Sequence, residues 1–203
     1  MKKILAMLLA VMMVLSMAAC NNTDTNTNTN NTTAAPTTTA PAVVAPADSL
    51  EIMNNIWALY TDPETTPYVI GGSLNEEFVP AGDGVPGTYD SAMLADLTGI
   101  LYIPEAEIAN IDGAATAMHA MMANNFTAGA VHCTGDVAAF ANTMVEALKN
   151  NQWICGQPET LVVATIGEYV VIAFGVNDII APFYTNLTTA YADAQIVENG
   201  PLF

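Results

Sequence analysis

The chain has 203 residues, of which 20 are Asp or Glu and only three are Lys or Arg, so its formal charge is −17 at pH 7. Such a surface repels phosphate backbones and anionic lipid headgroups, which excludes nucleic-acid binding and electrostatic docking to a membrane. It also offers almost no cationic group to hold a phosphate or carboxylate substrate. Divalent cations and basic peptides remain as partners, and the simpler interpretation of the charge is solubility outside the cell.

Residues 1–20 have the organisation of a bacterial export signal. Two lysines form its positive start, an apolar run covers residues 4–17, and Ala18-Ala19 precede Cys20. This order is similar to the lipobox of bacterial lipoproteins, in which the Cys20 thiol would carry a diacylglyceryl group and become the first residue after cleavage. We therefore expect lipidation at Cys20. An ordinary signal peptide and an uncleaved anchor are the alternatives.

A low-complexity tether is predicted over residues 21–47. The segment consists almost entirely of Asn, Thr, Ala and Pro with Asp24 as its single charge, so it cannot bury enough apolar surface to fold. As a flexible coil it would span about 30 Å. After Cys20 the chain has one Lys, Lys149, against 20 acidic residues, which gives a formal charge of −19.

The remainder, residues 48–203, is long enough for a single globular domain. Asp48 and Glu51 have capping-box spacing, which predicts a helix that ends at about Tyr60. A short strand is expected at residues 68–70, and Asp90 is expected to begin a helix that runs to Leu97. This part of the sequence has no uninterrupted apolar run of the length of a membrane span.

Four carboxylates lie in the turn-rich stretch between these elements, at Glu76, Glu77, Asp83 and Asp90. Their oxygen atoms suit Ca²⁺, but their spacing matches no EF-hand loop. We therefore interpret the stretch as a solvated loop.

The strongest local pattern is a β-hairpin between Leu161 and Phe174. Gly167-Glu168 separates two runs of β-branched and apolar residues and suits a type II′ turn. The pairs expected across this turn are Ile166 with Tyr169, Thr165 with Val170, Ala164 with Val171, Val163 with Ile172, Val162 with Ala173, and Leu161 with Phe174. Both faces of the hairpin are apolar, so neither can face water. We expect helices on one face, and either a lid from residues 62–103 or a partner on the other.

Amphipathic helices are predicted on both sides of this hairpin. Apolar residues recur at three- and four-residue steps from Val137 to Leu148 and again from Ile179 to Tyr191. Pro182 lacks a backbone donor, so the second helix is expected to begin near Pro182 or to bend there.

The sequence therefore predicts an α+β fold with a mainly antiparallel sheet of about four strands and helices packed on one face. The ambiguous residues 115–121 are assigned to a strand that pairs with residues 127–133. The C-terminal block then follows the order β-hairpin, helix, β-hairpin, helix.

This order of segments resembles an uncharacterised family of small lipoproteins of Gram-positive, clostridial-type bacteria that carry a domain of unknown function. The similarity covers residues 90–190, from the segment LYIPEAEIANI to the final helix. It includes a G-x-Y-V turn, here Gly167-Glu168-Tyr169-Val170. The resemblance implies a lipid anchor and a Thr- or Ser-rich tether. It implies no activity and no catalytic residues.

Candidate nucleophiles and bases are few. After Cys20 the only thiols are Cys133 and Cys155, and the only imidazoles are His119 and His132. His132 and Cys133 are neighbours on a predicted strand, so they point to opposite faces and cannot form a dyad. The helix between the two thiols spans about 22 Å, whereas a disulfide needs Cα atoms within about 7 Å. We expect two free, mostly buried thiols and no catalytic residues.

A soft-metal site is the one ligand constellation in the sequence. If residues 115–121 pair with residues 127–133 around Asn125-Phe126, His119 falls opposite His132. Candidate thioether ligands nearby are Met118, Met121 and Met122, and Cys133 lies across the strand. Imidazole, thiolate and thioether together suit Cu(I), although methionines at such spacing also serve as core residues.

We therefore expect a non-enzymatic binding or accessory protein on the extracellular face of the cell membrane, held there by the lipid on Cys20. It needs no cofactor, and an envelope protein is the kind of partner that an uncovered sheet face would bind. A copper-type binding lipoprotein with ligands from His119, His132, Met118 and Met121 is the alternative. An unidentified extracytoplasmic enzyme is a further one.

Overall fold

An antiparallel sheet of eight strands organises the structure, a computed structural model that describes residues 45–154 and 156–203. The strands are β1 (Val69–Leu74), β2 (Pro80–Asp83), β3 (Gly87–Thr88), β4 (Ile111–His119), β5 (Phe126–Cys133), β6 (Thr160–Ile166), β7 (Tyr169–Gly175) and β8 (Gln195–Pro201). The α-helices are α1 (Ser49–Trp57), α2 (Leu97–Ile100), α3 (Val137–Lys149) and α4 (Asn177–Ala190). Short 3-10 helices cover Ser91–Asp96, Glu105–Asn110 and Ala123–Asn125. The predicted export signal, most of the tether and Cys155 lie outside the described residues.

The α+β class is confirmed, but the sheet has twice the expected number of strands. Its order is β2-β1-β4-β5-β7-β6-β8, and β3 also pairs with β4. The C-terminal block follows the predicted order, with the hairpin β4–β5, α3, the hairpin β6–β7 and α4, and then adds β8 at one edge. The strand assignment of residues 115–121 is confirmed through His119.

The hairpin β6–β7 has the predicted register at every pair, from Ile166 opposite Tyr169 to Leu161 opposite Phe174. Gly167 has a φ of 57°, whereas Glu168 is not among the residues with positive φ. A positive φ at the first central residue alone is the signature of the type II′ turn. The local pattern was therefore sufficient to specify this element.

Both faces of this hairpin are covered by the same chain, so the expectation of helices on one face only is wrong. Val162 and Val171 face a core formed with α1 and α4, whereas Val163 and Ile172 face a second core formed with α3. Leucines from residues 94–101 extend the second core. Because successive strand residues alternate between two apolar faces, each face needs its own layer. Within the described residues, the lid expected from residues 62–103 thus forms part of the second layer together with α3.

The helices begin at recognisable residues. Asp48 Oδ1 accepts a hydrogen bond from Glu51 N at 2.7 Å, and α1 ends at Trp57, three residues before the predicted end. Asp90 Oδ1 accepts a hydrogen bond from Ala92 N at 2.8 Å, so Asp90 begins a helix as expected. The first part of this helix, Ser91–Asp96, is a 3-10 helix, and α2 follows it.

Within the described residues, no helix has both the length and the apolarity to cross a membrane.

The expected start of α4 near Pro182 is wrong, because the helix begins at Asn177 and continues through the proline. Proline removes one backbone hydrogen bond here. Ile180 and Phe183 on either side of it are fully buried, and burial of two such side chains contributes roughly 3–6 kcal/mol. The apolar face therefore outweighs the lost bond.

Strand β1 leaves the sheet after Ile70, and β3 takes its place beside β4. The backbones cross so closely that a Cβ atom added at Gly71 would lie 2.3 Å from Gly87 N and 2.5 Å from Thr116 O. Gly72 has a φ of 74°, and its N–H donates to Thr116 Oγ1 at 3.1 Å. Glycine at these positions lets β1 pass over the sheet edge.

The two outer strands are irregular. β2 has four residues and begins with Pro80. β8 pairs with β6 through a register shift and ends with Pro201. Glu198 of β8 forms an ion pair with Lys149 of α3, with 2.5 Å between Nζ and Oε2.

Candidate functional site: an apolar cleft beside β4

A cleft of about 480 Å³ lies between the sheet and the segment 91–100. Its lining residues are Ile70, Gly72, Leu74, Tyr89, Met93, Ala95, Asp96, Thr98, Gly99, Ile100, Thr116 and Met118. We call this space the β4 cleft. Its volume falls within the range of about 300–1,000 Å³ that is typical of small-molecule sites.

Strand β4 forms the floor of the β4 cleft. Thr116 and Met118 are two residues apart, so their side chains lie on the same face of the sheet. The Thr116 side chain is held by the hydrogen bond from Gly72 N, which joins the floor to the crossing strand β1. Ile70 pairs directly with Met118 and extends the apolar surface. The floor is thus built on paired strands and is held rigidly.

Residues 91–100 form the opposite wall. Leu94 and Leu97 are buried in the core and anchor this segment. Met93 and Ile100 are only partly buried and line the β4 cleft. The wall is therefore apolar, although it belongs to a short 3-10 helix and one turn of α-helix.

Two polar groups stand in these apolar walls. Tyr89 is 8% exposed and brings a phenol hydroxyl to the lining. Burial, and then the charge of Asp96, raise the pKa of Tyr89 to about 12. The Asp96 carboxylate is exposed and makes no capping hydrogen bond to α2. A phenol and a free carboxylate are thus both available at the edge of the cleft.

The pKa of Tyr89 predicts a specific effect on stability at high pH. The folded pKa of about 12 exceeds the ordinary value of 10.0. The stabilising contribution of the neutral phenol is therefore fully present below pH 10 and is lost as the pH rises toward 12. We expect the unfolding free energy of Tyr89→Phe to fall less steeply than that of the parent protein between pH 10 and 12. Urea unfolding at several pH values measures this difference. An unchanged decline would contradict this assignment.

The predicted pairing of His119 with His132 is wrong. His132 pairs with Gly113 on β4, whereas His119 pairs with Val69 on β1. Gly113 and His119 are six residues apart on one strand, which corresponds to about 20 Å. In an antiparallel hairpin the residues next to the turn pair with each other, so His132, at the far end of β5, cannot meet His119.

The predicted soft-metal ligands are therefore dispersed. Met118 lines the β4 cleft, and Met121 is 85% exposed beyond the end of β4. His119 Nδ1 accepts hydrogen bonds from Met121 N and Met122 N, both at 3.2 Å, and so shapes the turn. In the part of the chain that the structure describes, no group of three or more His, Cys, Asp or Glu side chains could hold a metal ion.

His132 has a separate environment at the other end of β4. Its Nδ1 lies 2.5 Å from Asp112 Oδ1, and its Nε2 lies 3.7 Å from Glu168 Oε2. The ring also contacts Tyr169, with 4.9 Å between centroids. The two carboxylates and the aromatic ring therefore hold the His132 imidazole in place at this end of the sheet.

The remaining sequence candidates have local structural roles. Asp83 Oδ1 accepts from the Tyr68 hydroxyl at 2.5 Å, and Asp90 caps the 3-10 helix. Glu76 and Glu77 are exposed in the β1–β2 turn. Cys133 is a buried free thiol at the end of β5, as expected.

Sequence reasoning missed most of the β4 cleft. Tyr89 lies in a turn-rich stretch, and Met93 and Asp96 lie in the predicted helix from Asp90 to Leu97, where no pattern marked them as cleft residues. Thr116 gave the one usable signal, because it is a polar residue inside the apolar run from Ala114 to Ala117. A buried threonine in such a run needs a hydrogen-bond partner, and that partner comes from the crossing strand.

No family model matches the chain, and no curated protein or solved structure gives a significant match. The function has to be inferred from the geometry of the cleft. Its lining residues within the described chain include neither His nor Cys. Apolar walls with one phenol and one carboxylate suit the binding of a small molecule.

Proposed function

We propose that this chain is a lipid-anchored, non-enzymatic binding protein of the bacterial envelope that holds a small apolar ligand in the β4 cleft. The main support for this proposal is the cleft itself. It has a volume of about 480 Å³, and its walls are formed mainly by Ile70, Leu74, Met93, Ile100 and Met118. Apolar surface of this kind gains roughly 25 cal/mol for each Å² that a ligand removes from water.

The construction of the cleft supports binding. Its floor is a strand paired on both sides, and its wall is anchored by two buried leucines. A site of this kind changes little on binding, so a ligand loses little affinity to the ordering of the protein. The methionines Met93 and Met118 adapt their unbranched side chains to ligands of different outline.

The location is supported by the sequence. Lys2, Lys3 and the apolar run before Cys20 are typical of an exported lipoprotein, and the Asn- and Thr-rich tether separates the folded unit from the lipid. A binding site held about 30 Å from the membrane surface by such a tether is accessible to molecules outside the cell.

Cys20→Ala tests the anchor. Without the thiol no lipid can be attached, so we expect the precursor to accumulate unprocessed or the protein to leave the membrane fraction. The measurement is immunoblotting of membrane and culture fractions, with Cys133→Ala as the control because that thiol is buried in the fold. Normal processing and retention of Cys20→Ala would overturn the lipoprotein assignment.

The binding site is tested with N-phenyl-1-naphthylamine, a neutral probe whose fluorescence rises in apolar surroundings. The mature chain carrying Cys20→Ser has no lipid to compete for the probe. We expect saturable binding that Gly99→Phe weakens at least tenfold, because Gly99 lines the cleft and a Cβ added there meets nothing within 4 Å. Gly99→Ala is the control and should bind normally. Equal binding by all three proteins, or none by the parent, would exclude the β4 cleft as the site.

A further inference from the structure

The lining of the β4 cleft carries a single charge, which is negative. Asp96 is the only charged residue among those that line it in the described chain. Lys149, the only Lys or Arg after Lys3 in the sequence, is paired with Glu198 of β8, at the opposite edge of the sheet from β1. A bound carboxylate, sulfate or phosphate would therefore find no cation in the cleft.

Asp96 is free to pair with a ligand. It is the last residue of the 3-10 helix Ser91–Asp96 and stands at the N-cap position of α2, yet its side chain makes no capping hydrogen bond. No salt bridge or side-chain hydrogen bond involves it within residues 45–154 and 156–203. An available carboxylate beside an apolar cavity attracts a cationic group whose remainder is apolar.

Tyr89 provides the second half of such a site. It lines the same cleft as Asp96, and the charge of Asp96 adds to the burial that raises the pKa of the phenol. A cation in the cleft therefore has, besides the Asp96 carboxylate, a phenol oxygen and the electron-rich face of an aromatic ring as contact groups. The rest of the lining offers only apolar surface and threonine hydroxyls.

We propose that the natural ligand of the β4 cleft is a small organic cation, an amine or quaternary ammonium with an apolar chain or ring, whose charged end lies at Asp96 and Tyr89 and whose apolar part lies over Met93 and Met118. This inference rests on the proposed binding function and adds the ligand class. The net charge of −17 acts in the same direction, because it raises the local concentration of cations.

The test is displacement of the neutral probe from the unlipidated mature chain by three compounds of equal chain length: octylamine, octanol and octanoate. We expect octylamine to bind about fivefold more tightly than octanol, which is the contribution of an exposed ion pair. Octanoate should bind more weakly than both. Added salt should reduce the advantage of octylamine.

Asp96→Asn should abolish the preference for octylamine over octanol. Asp193→Asn is the matched control, since Asp193 precedes β8 at the far edge of the sheet, and it should keep the preference. Equal affinity for octylamine and octanol in the parent protein, or a preference that persists in Asp96→Asn, would overturn the ligand class while leaving the binding function intact. Failure of all three compounds and of the probe would overturn both proposals.

Discussion

Replacing Gly71 by alanine should lower the free energy of unfolding by about 3 kcal/mol, the upper end of the cost of overpacking. The added Cβ would lie within 2.7 Å of three backbone atoms, on Pro86, Gly87 and Thr116. Backbone atoms of paired strands cannot move aside as a flexible side chain can, so β1 has to separate from β3 and β4. Urea unfolding followed by circular dichroism measures the loss.

The matched control is Gly113→Ala, on β4 itself. A Cβ added at Gly113 meets only His132 Cβ, at 3.8 Å, which is an ordinary van der Waals contact. Its effect should stay within about 1 kcal/mol, the range of a glycine-to-alanine change without a clash. Equal stability of the two variants would show that the crossing of β1 over the sheet edge is wrong. Because β1 supplies Ile70 and Leu74, Gly71→Ala should also abolish probe binding in the β4 cleft.

The second large effect is expected at Phe126, where alanine should cost about 3–5 kcal/mol. Its side chain is fully buried, and its ring lies 5.8 Å from the ring of Phe183 and 6.3 Å from that of Trp57. It thus joins β5 to α1 and α4 in one core. Truncation leaves a cavity that the surrounding sheet and helices cannot close.

Phe78→Ala is the control for this change. Phe78 is 80% exposed in the β1–β2 turn, so its removal creates no cavity and should alter the unfolding free energy by less than about 0.5 kcal/mol. A similar loss in both phenylalanine variants would contradict the assignment of Phe126 to the core between the sheet and α1 and α4.

The elements that the sequence predicted well are those whose signals are local. The hairpin β6–β7 has a turn with a glycine at the right position and β-branched residues on both sides, and every predicted pair forms. The helix α3 has one apolar stripe and a capping aspartate, Asp136. Neither feature depends on distant parts of the chain.

The elements that were missed depend on contacts between distant residues. β8 has mostly exposed residues and becomes a strand because it pairs with β6, some 35 positions earlier in the chain. β2 and β3 lie in a stretch rich in Gly and Pro that is typical of loops. The number of strands was underestimated for this reason.

The β4 cleft was inaccessible to sequence reasoning for a related cause. It exists because β1 crosses over the edge of the sheet, and the sequence shows that crossing only as the pair Gly71-Gly72. The metal hypothesis failed on register, because His119 ends β4 whereas His132 of β5 pairs with Gly113 near the start of β4. Pattern identifies a strand, but register decides which side chains meet.

The irregular outer strands have a consequence for how copies of this protein meet one another. An open, flat edge strand is a template on which a second sheet can grow, and such growth leads to aggregation. Here the edge strand β2 is only four residues long and begins with Pro80. The other edge strand, β8, is interrupted by a bulge, carries the paired Glu198 and ends with Pro201. Copies of the described domain at high local concentration therefore lack an open edge strand along which their sheets could join.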